Sequence, residues 1–285
     1  MNAGKIFSRT TIAAGLLAFS GLASASTITF NDTGLGGDNV FSFDSISLLS
    51  YNAQVTLQDT DGDGTLLGPG NFVEIGLTGA VSFNTESGTT QSPIDPTITG
   101  LNTEYQLFFD LTVTGTAAFA LGLSPFGAPQ LAGLINFNNI GSSIDLYYDT
   151  DTAAGMQGSA TLISTGGLKG NNGCSVVSNS TVAAGDVLGS CLLGSEFQPI
   201  SGVFFDEMGR DLNSLIGLVP LALDFDINVD RFFPALEFVF PGGAGSSQTF
   251  TIQHDGSVKI VVPEPASIAI LGLGLFGLGM ARRRK

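Results

Sequence analysis

Two stretches of this chain alternate strictly between apolar and polar positions. In one, Tyr105, Leu107, Phe109, Leu111 and Val113 are interleaved with Gln106, Phe108, Asp110, Thr112 and Thr114. In the other, Leu223, Phe225, Ile227 and Val229 are interleaved with Asp224, Asp226, Asn228 and Asp230. A period of two puts one side of an extended strand on a core and the other in a wetter place, as antiparallel sheets do. Shorter runs of the same kind are predicted at Thr27–Phe30, Val40–Phe43, Ala53–Leu57, Ile144–Tyr148, Ala160–Ser164, Ala235–Phe240 and Gln248–Gln253. Phe72–Phe83 also reads as a strand, with Phe72, Glu74 and Gly76 on one face and Val73, Ile75 and Leu77 on the other. Asp255-Gly256 between Thr249–Ile252 and Val258–Val261 predicts a hairpin turn. Asp59–Gly70 reads as a turn, Ser87–Gly100 as a loop, Thr165–Gly194 as an irregular excursion and Arg210–Leu218 as a short helix. Regular short strands with turns between them predict an all-β fold, an antiparallel β-sandwich with long loops. It would occupy residues 26–261, as one domain or as two subdomains split at the excursion.

The two ends follow other rules. Lys5 and Arg9 precede a small, apolar run from Thr11 to Leu22, and Ala23-Ser24-Ala25 supplies a small-residue processing site. Residues 1–25 are therefore expected to be a signal peptide cut before Ser26. At the other end, Pro263-Glu264-Pro265 precedes an uncharged run from Ala266 to Ala281, then Arg282, Arg283, Arg284 and Lys285. Sixteen helical residues span roughly 24 Å, close to a bilayer core, and the cations favour a cytoplasmic end. A buried terminal helix would need neither the cations nor an all-round apolar surface.

These three parts in this order resemble the PEP-CTERM sorting signal. The resemblance covers residues 262–285, with Pro263, Glu264, Pro265, Arg282, Arg283 and Arg284 as its recognisable positions. It implies an exported protein of an exopolysaccharide-producing Gram-negative bacterium. It also implies export machinery, transient membrane insertion through 266–281 and removal of the tail by exosortase. Phe30-Asn31-Asp32-Thr33-Gly34, and closing strands that run straight into the signal, are more distantly similar to flocculation-associated members of that group.

Removing both ends changes the charge. Six of the ten Lys and Arg lie outside residues 26–265, whereas all 25 Asp and Glu lie within them, so a mature chain of about those bounds carries four cations against 25 carboxylates, a net charge of −21. Such a chain is unsuited to nucleic acid, whose phosphates need cations, and has carboxylates to spare for divalent metal. Apolar and β-branched residues are too plentiful for disorder. Cys174 and Cys191 are the two cysteines of the sequence. In an oxidising compartment they are expected to form a disulfide, closing a loop worth about 3 kcal/mol in the chain-entropy model; two free thiols are the alternative.

The spacing Asp59-Thr60-Asp61-Gly62-Asp63-Gly64-Thr65 matches the front half of a calcium loop. Asp59, Asp61, Asp63 and the Thr65 carbonyl would be the ligands. The twelfth position is Gly70, where a bidentate Glu belongs; Glu74 could substitute only if the chain folded back. The same residues would equally make a polar turn that binds nothing. Asp224, Asp226 and Asp230, like Asp149 and Asp151, read as a solvated acidic face, with a second metal or polysaccharide patch as the alternative. Catalytic motifs are missing from the sequence. Its single histidine, His254, falls at the predicted hairpin, and no HExxH or GxSxG occurs. A glycosidase needs only two carboxylates, but Trp is absent and Tyr scarce for sugar platforms. The expectation is a non-enzymatic surface or matrix protein associated with anionic exopolysaccharide in biofilm or floc formation. A calcium-dependent carbohydrate-binding module or adhesin is the alternative.

Overall fold

The computed structural model describes residues 27–65, 68–87, 90–123, 129–152, 160–170, 172–178, 186–233, 242–243 and 245–263. The signal peptide with Ala23 and Ala25, the predicted strand Ala235–Phe240 and the tail from Glu264 onward lie outside these residues. The strands are β1 (Ile28–Asn31), β2 (Val40–Phe43), β3 (Ser45–Asp59), β4 (Gly68–Ser87), β5 (Thr90–Pro93), β6 (Gln106–Leu123) and β7 (Pro129–Asp149). They continue as β8 (Thr161–Gly166), β9 (Gly173–Ser178), β10 (Asp186–Glu196), β11 (Gln198–Pro199), β12 (Phe204–Phe205), β13 (Ala222–Phe233) and β14 (Ser247–Val261). A single-turn helix, α1 (Pro96–Thr99), follows β5 and is capped by Asp95, whose side chain accepts from the Thr97 N–H.

All the strand pairings are antiparallel, and the main sheet returns on itself. The order β7-β6-β4-β3-β14-β13-β10-β9 ends with β9 pairing back onto β7, Ala132 opposite Val177 and Asn136 opposite Gly173. β8 and β9 act as one interrupted strand, since β8 pairs with the far half of β7 and with β11, and Leu168 bridges to Ser195. The result is an eight-stranded, up-and-down barrel in place of the expected two-layer sandwich. The expected strands were short. β4 and β7 instead run for 20 and 21 residues, long enough to wrap a closed wall. Closure pairs β9 with β7, which would otherwise be exposed edges of an open wall.

The interior is filled by the alternating apolar positions. Val55, Phe72, Leu107, Phe109, Ile135, Leu146, Leu193, Phe225, Ile227, Phe250 and Ile260 are all buried in one contiguous core. A separate three-stranded sheet, β12-β1-β2, plugs one end. Phe30 sits at its centre, with ring centroids of Phe41, Phe83, Tyr105 and Phe204 between 5.4 and 5.8 Å away.

Several local expectations are corrected. The segment Thr165–Gly194 is no excursion, for it supplies wall strands β9 and β10, which hold Cys174 opposite Cys191 in register and disulfide-bonded. Asp255-Gly256 is no hairpin. β14 runs straight through it, shifting register on both sides by a bulge next to His254. Glycine is needed at 256 because a Cβ there would lie 2.3 Å from the Asp226 carbonyl. Of Arg210–Leu218, only Leu212–Leu215 is helical, as a 3₁₀ turn. Ser87–Gly100 contains β5 and α1. No helix among the described residues is long and apolar enough to cross a membrane.

Candidate functional site

The acidic motif sits where β3 leaves the barrel, at the end opposite the aromatic plug. Asp59 is the last residue of β3 and is only 4% exposed. Its side chain is held by backbone donors. The Gly62 N–H donates to Oδ1 at 2.9 Å, and the N–H groups of Gly64 and Gly245 donate to Oδ2 at 3.0 and 2.9 Å. Its own N–H donates to the Ser246 carbonyl at 3.0 Å. Asp59 thereby ties the β3–β4 loop to the β13–β14 loop. Gly62 and Gly64 both adopt φ +75°, a left-handed conformation that side chains resist, which is why glycine alternates with aspartate here.

Asp61 and Asp63 face solvent beside it. One oxygen from each of Asp59, Asp61 and Asp63 lies within 4.8 Å of the others. Asp63 accepts from the Thr65 N–H at 2.7 Å and the Thr65 hydroxyl at 3.0 Å. The N–H of Gly245, with those of Gly62 and Gly64, pulls the Asp59 carboxyl down to about 2. Asp61 moves the other way, pushed up chiefly because it shares a hydrogen bond with Asp59. The arrangement sets one carboxylate, held ionised by backbone N–H groups, beside two solvent-facing ones. The donor set suits a hard, oxygen-seeking cation such as calcium. Asp59, Asp61 and Asp63 would hold it, with Asp59 also bound to the backbone.

Glu74 does not complete this loop. It lies on the inner face of β4, with Oε1 2.9 Å from His254 Nε2, and both side chains are buried. The Tyr51 ring packs on His254 with centroids 5.1 Å apart. Burial, and then the charge of Glu74, push the Tyr51 hydroxyl well up. The Asp255-Gly256 turn signal hides this polar trio, because it places His254 at a hairpin instead of within β14. The signal was present, since His254 follows Phe250 and Ile252 in the inward register of one strand.

The other acidic positions stay apart. Asp224 and Asp226 are exposed on the outer face of β13, while Asp149 is buried at the end of β7 and accepts from the Asp151 N–H at 3.0 Å. Among the described side chains, Lys169 pairs with Glu196, Arg210 Nε with Asp206 at 2.6 Å, and Lys259 with Glu86 at 2.8 Å.

At the plugged end β14 runs out through Val261 to Pro263, where the sorting signal begins. Residues 261–285, 25 of the 285, match the family model of the PEP-CTERM protein-sorting motif. No curated protein and no solved structure matches the chain. The motif implies export and processing by exosortase, with transient membrane anchoring, and the chain carries the PEP-CTERM sorting motif at residues 261–285.

Proposed function

We propose that this chain is a non-enzymatic surface or matrix protein that works with anionic exopolysaccharide in biofilm or floc formation. The observation that carries the reading is the sorting motif at 261–285, joined directly to the last strand of a closed, strongly acidic barrel. Among the described side chains Lys169, Arg210 and Lys259 are each paired with a carboxylate, and four cations against 25 carboxylates leave a large excess of negative charge. Divalent cations would link such a surface to an anionic polymer. The test is settling of a deletion strain against its parent, with the gene restored as wild type or as Asp59/Asp61/Asp63→Ala. Dispersed growth rescued only by the wild type supports both the matrix role and the acidic loop. Rescue by both forms keeps the role and removes the loop from it, and unchanged settling of the deletion strain rejects the role.

A calcium-dependent carbohydrate-binding module or adhesin is the second reading, favoured by the convergence of Asp59, Asp61 and Asp63. It requires saturable glycan binding that chelator abolishes, and a calorimetric calcium signal that Asp61→Ala removes.

A further inference from the structure

The wall of the barrel is not continuous between β3 and β4. Pairing runs to Leu48 opposite Ala80 and resumes only at Gln54 opposite Ile75, one residue out of step. Over this interruption Thr78 Oγ1 donates to the Leu49 carbonyl at 3.0 Å, a side-chain bond where a ladder bond would otherwise run. The opening forms a recess of about 550 Å³, within the size range of small-ligand sites.

The chemistry of its lining is unusual for this molecule. Not one of the residues around it is charged, although the chain carries 25 carboxylates. A second recess, of about 410 Å³, includes Lys169 and Glu196. Leu49, Leu77, Val81 and Phe108 supply an apolar wall to the uncharged recess, and the first three are exposed. Asn52, Asn102 and Gln106 stand among them with amide groups that both donate and accept. Gln106 Oε1 is shielded from solvent and has no hydrogen-bond partner among the described residues.

We infer that this recess binds an uncharged stretch of saccharide. Apolar wall and amides match the two chemistries of a sugar ring, its C–H face and its hydroxyls. An ionised ligand is disfavoured twice. Its charge would find no partner in the recess, and if negative it would be repelled by the −21 field around it. The inference rests on the matrix reading and sharpens it: the acidic surface meets charged polymer through cations, while the β3–β4 recess grips neutral sugar without them.

The experiment uses the exported protein purified from the producing cells, and extracellular polysaccharide from the same cells split by anion exchange into neutral and acidic fractions. Retention of the neutral fraction, unchanged by chelator, is expected. Leu77→Asp and Val81→Asp, each at an exposed position, should weaken that retention by about tenfold or more, since each places a carboxylate against the bound sugar. Leu192→Asp, the same change on the exposed outer face of β10 across the barrel, should leave it unaltered. Circular dichroism and melting of each variant separate lost binding from lost folding. Binding to the acidic fraction alone, neutral binding that both groove variants preserve, or no binding to either fraction overturns the inference. None of these outcomes bears on settling of the deletion strain, which tests the matrix reading separately.

Discussion

Each end of the barrel is organised around a buried aspartate, and the two are used in opposite ways. At the plugged end, Asp32 is fully buried. It accepts from the Asn39 N–H at 2.7 Å, from Asn39 Nδ2 at 3.0 Å and from the Tyr148 hydroxyl at 3.1 Å. Its neighbours are the rings packed on Phe30, so its carboxylate fastens a lid. At the other end, Asp59 accepts from two loops, and its neighbours are the exposed Asp61 and Asp63. One end stores stability, whereas the other presents charge. A buried carboxylate held by N–H donors is a structural device at both ends, and only the solvent-facing groups beside it decide whether a cation can be met.

The largest test of that contrast is Phe30→Ala. Removing a fully buried ring from the centre of the plug should cost about 3–5 kcal/mol, read as a lower denaturant midpoint. If the plug proved dispensable, the division of labour between the ends would collapse. Next comes the wall that joins them: Cys174→Ser with Cys191→Ser opens a 17-residue loop and should cost about 3 kcal/mol, loosening both ends together. Asp32→Ala strands the buried Tyr148 hydroxyl and the part-buried Asn39 N–H and should cost about 1–3 kcal/mol, with Tyr148 gaining solvent access.

The smallest effect is expected at Asp59. Asp59→Ala should lower the unfolding midpoint less than Asp32→Ala does, while amide exchange speeds up at Gly62, Gly64 and Gly245. Acid should do the same to the wild type. The folded carboxyl titrates at about 2, below its unfolded value near 3.9, so its contribution is complete above about pH 4 and fades as pH falls through about 2. Protection of the three glycine amides should follow that window. Loss already at pH 5 would mean that another group holds the loop.

The alternation at Tyr105–Val113 and Leu223–Val229 was legible residue by residue, and every inward position read there is buried in the barrel. The Asp-Gly motif was equally legible as a turn that gathers three carboxylates. Phe72–Phe83 was legible as a strand with its two faces, but which face turns inward was not, because one carries Glu74 and the other Val73, Ile75 and Leu77. The larger Phe72 and the Glu74–His254 pair took the inside, leaving Val73, Ile75 and Leu77 exposed. Nothing local to Glu74 reveals a partner two strands away.

By itself, then, the chain's sequence determined what depends on near neighbours: which segments are two-faced strands, which two sulfurs pair, where three carboxylates gather and where the sorting signal stands. Tertiary structure alone decided whether the sheet stays open or closes. Closure rests on β14 meeting β3, with Phe250 opposite Val55, and on β9 meeting β7, with Cys174 opposite Ile135. A period of two records that a strand has an inside. It carries no information about which distant strand lies beside it, so the closed barrel, the gap at Leu49–Ala53 and the burial of His254 emerge only when the ends of the chain meet.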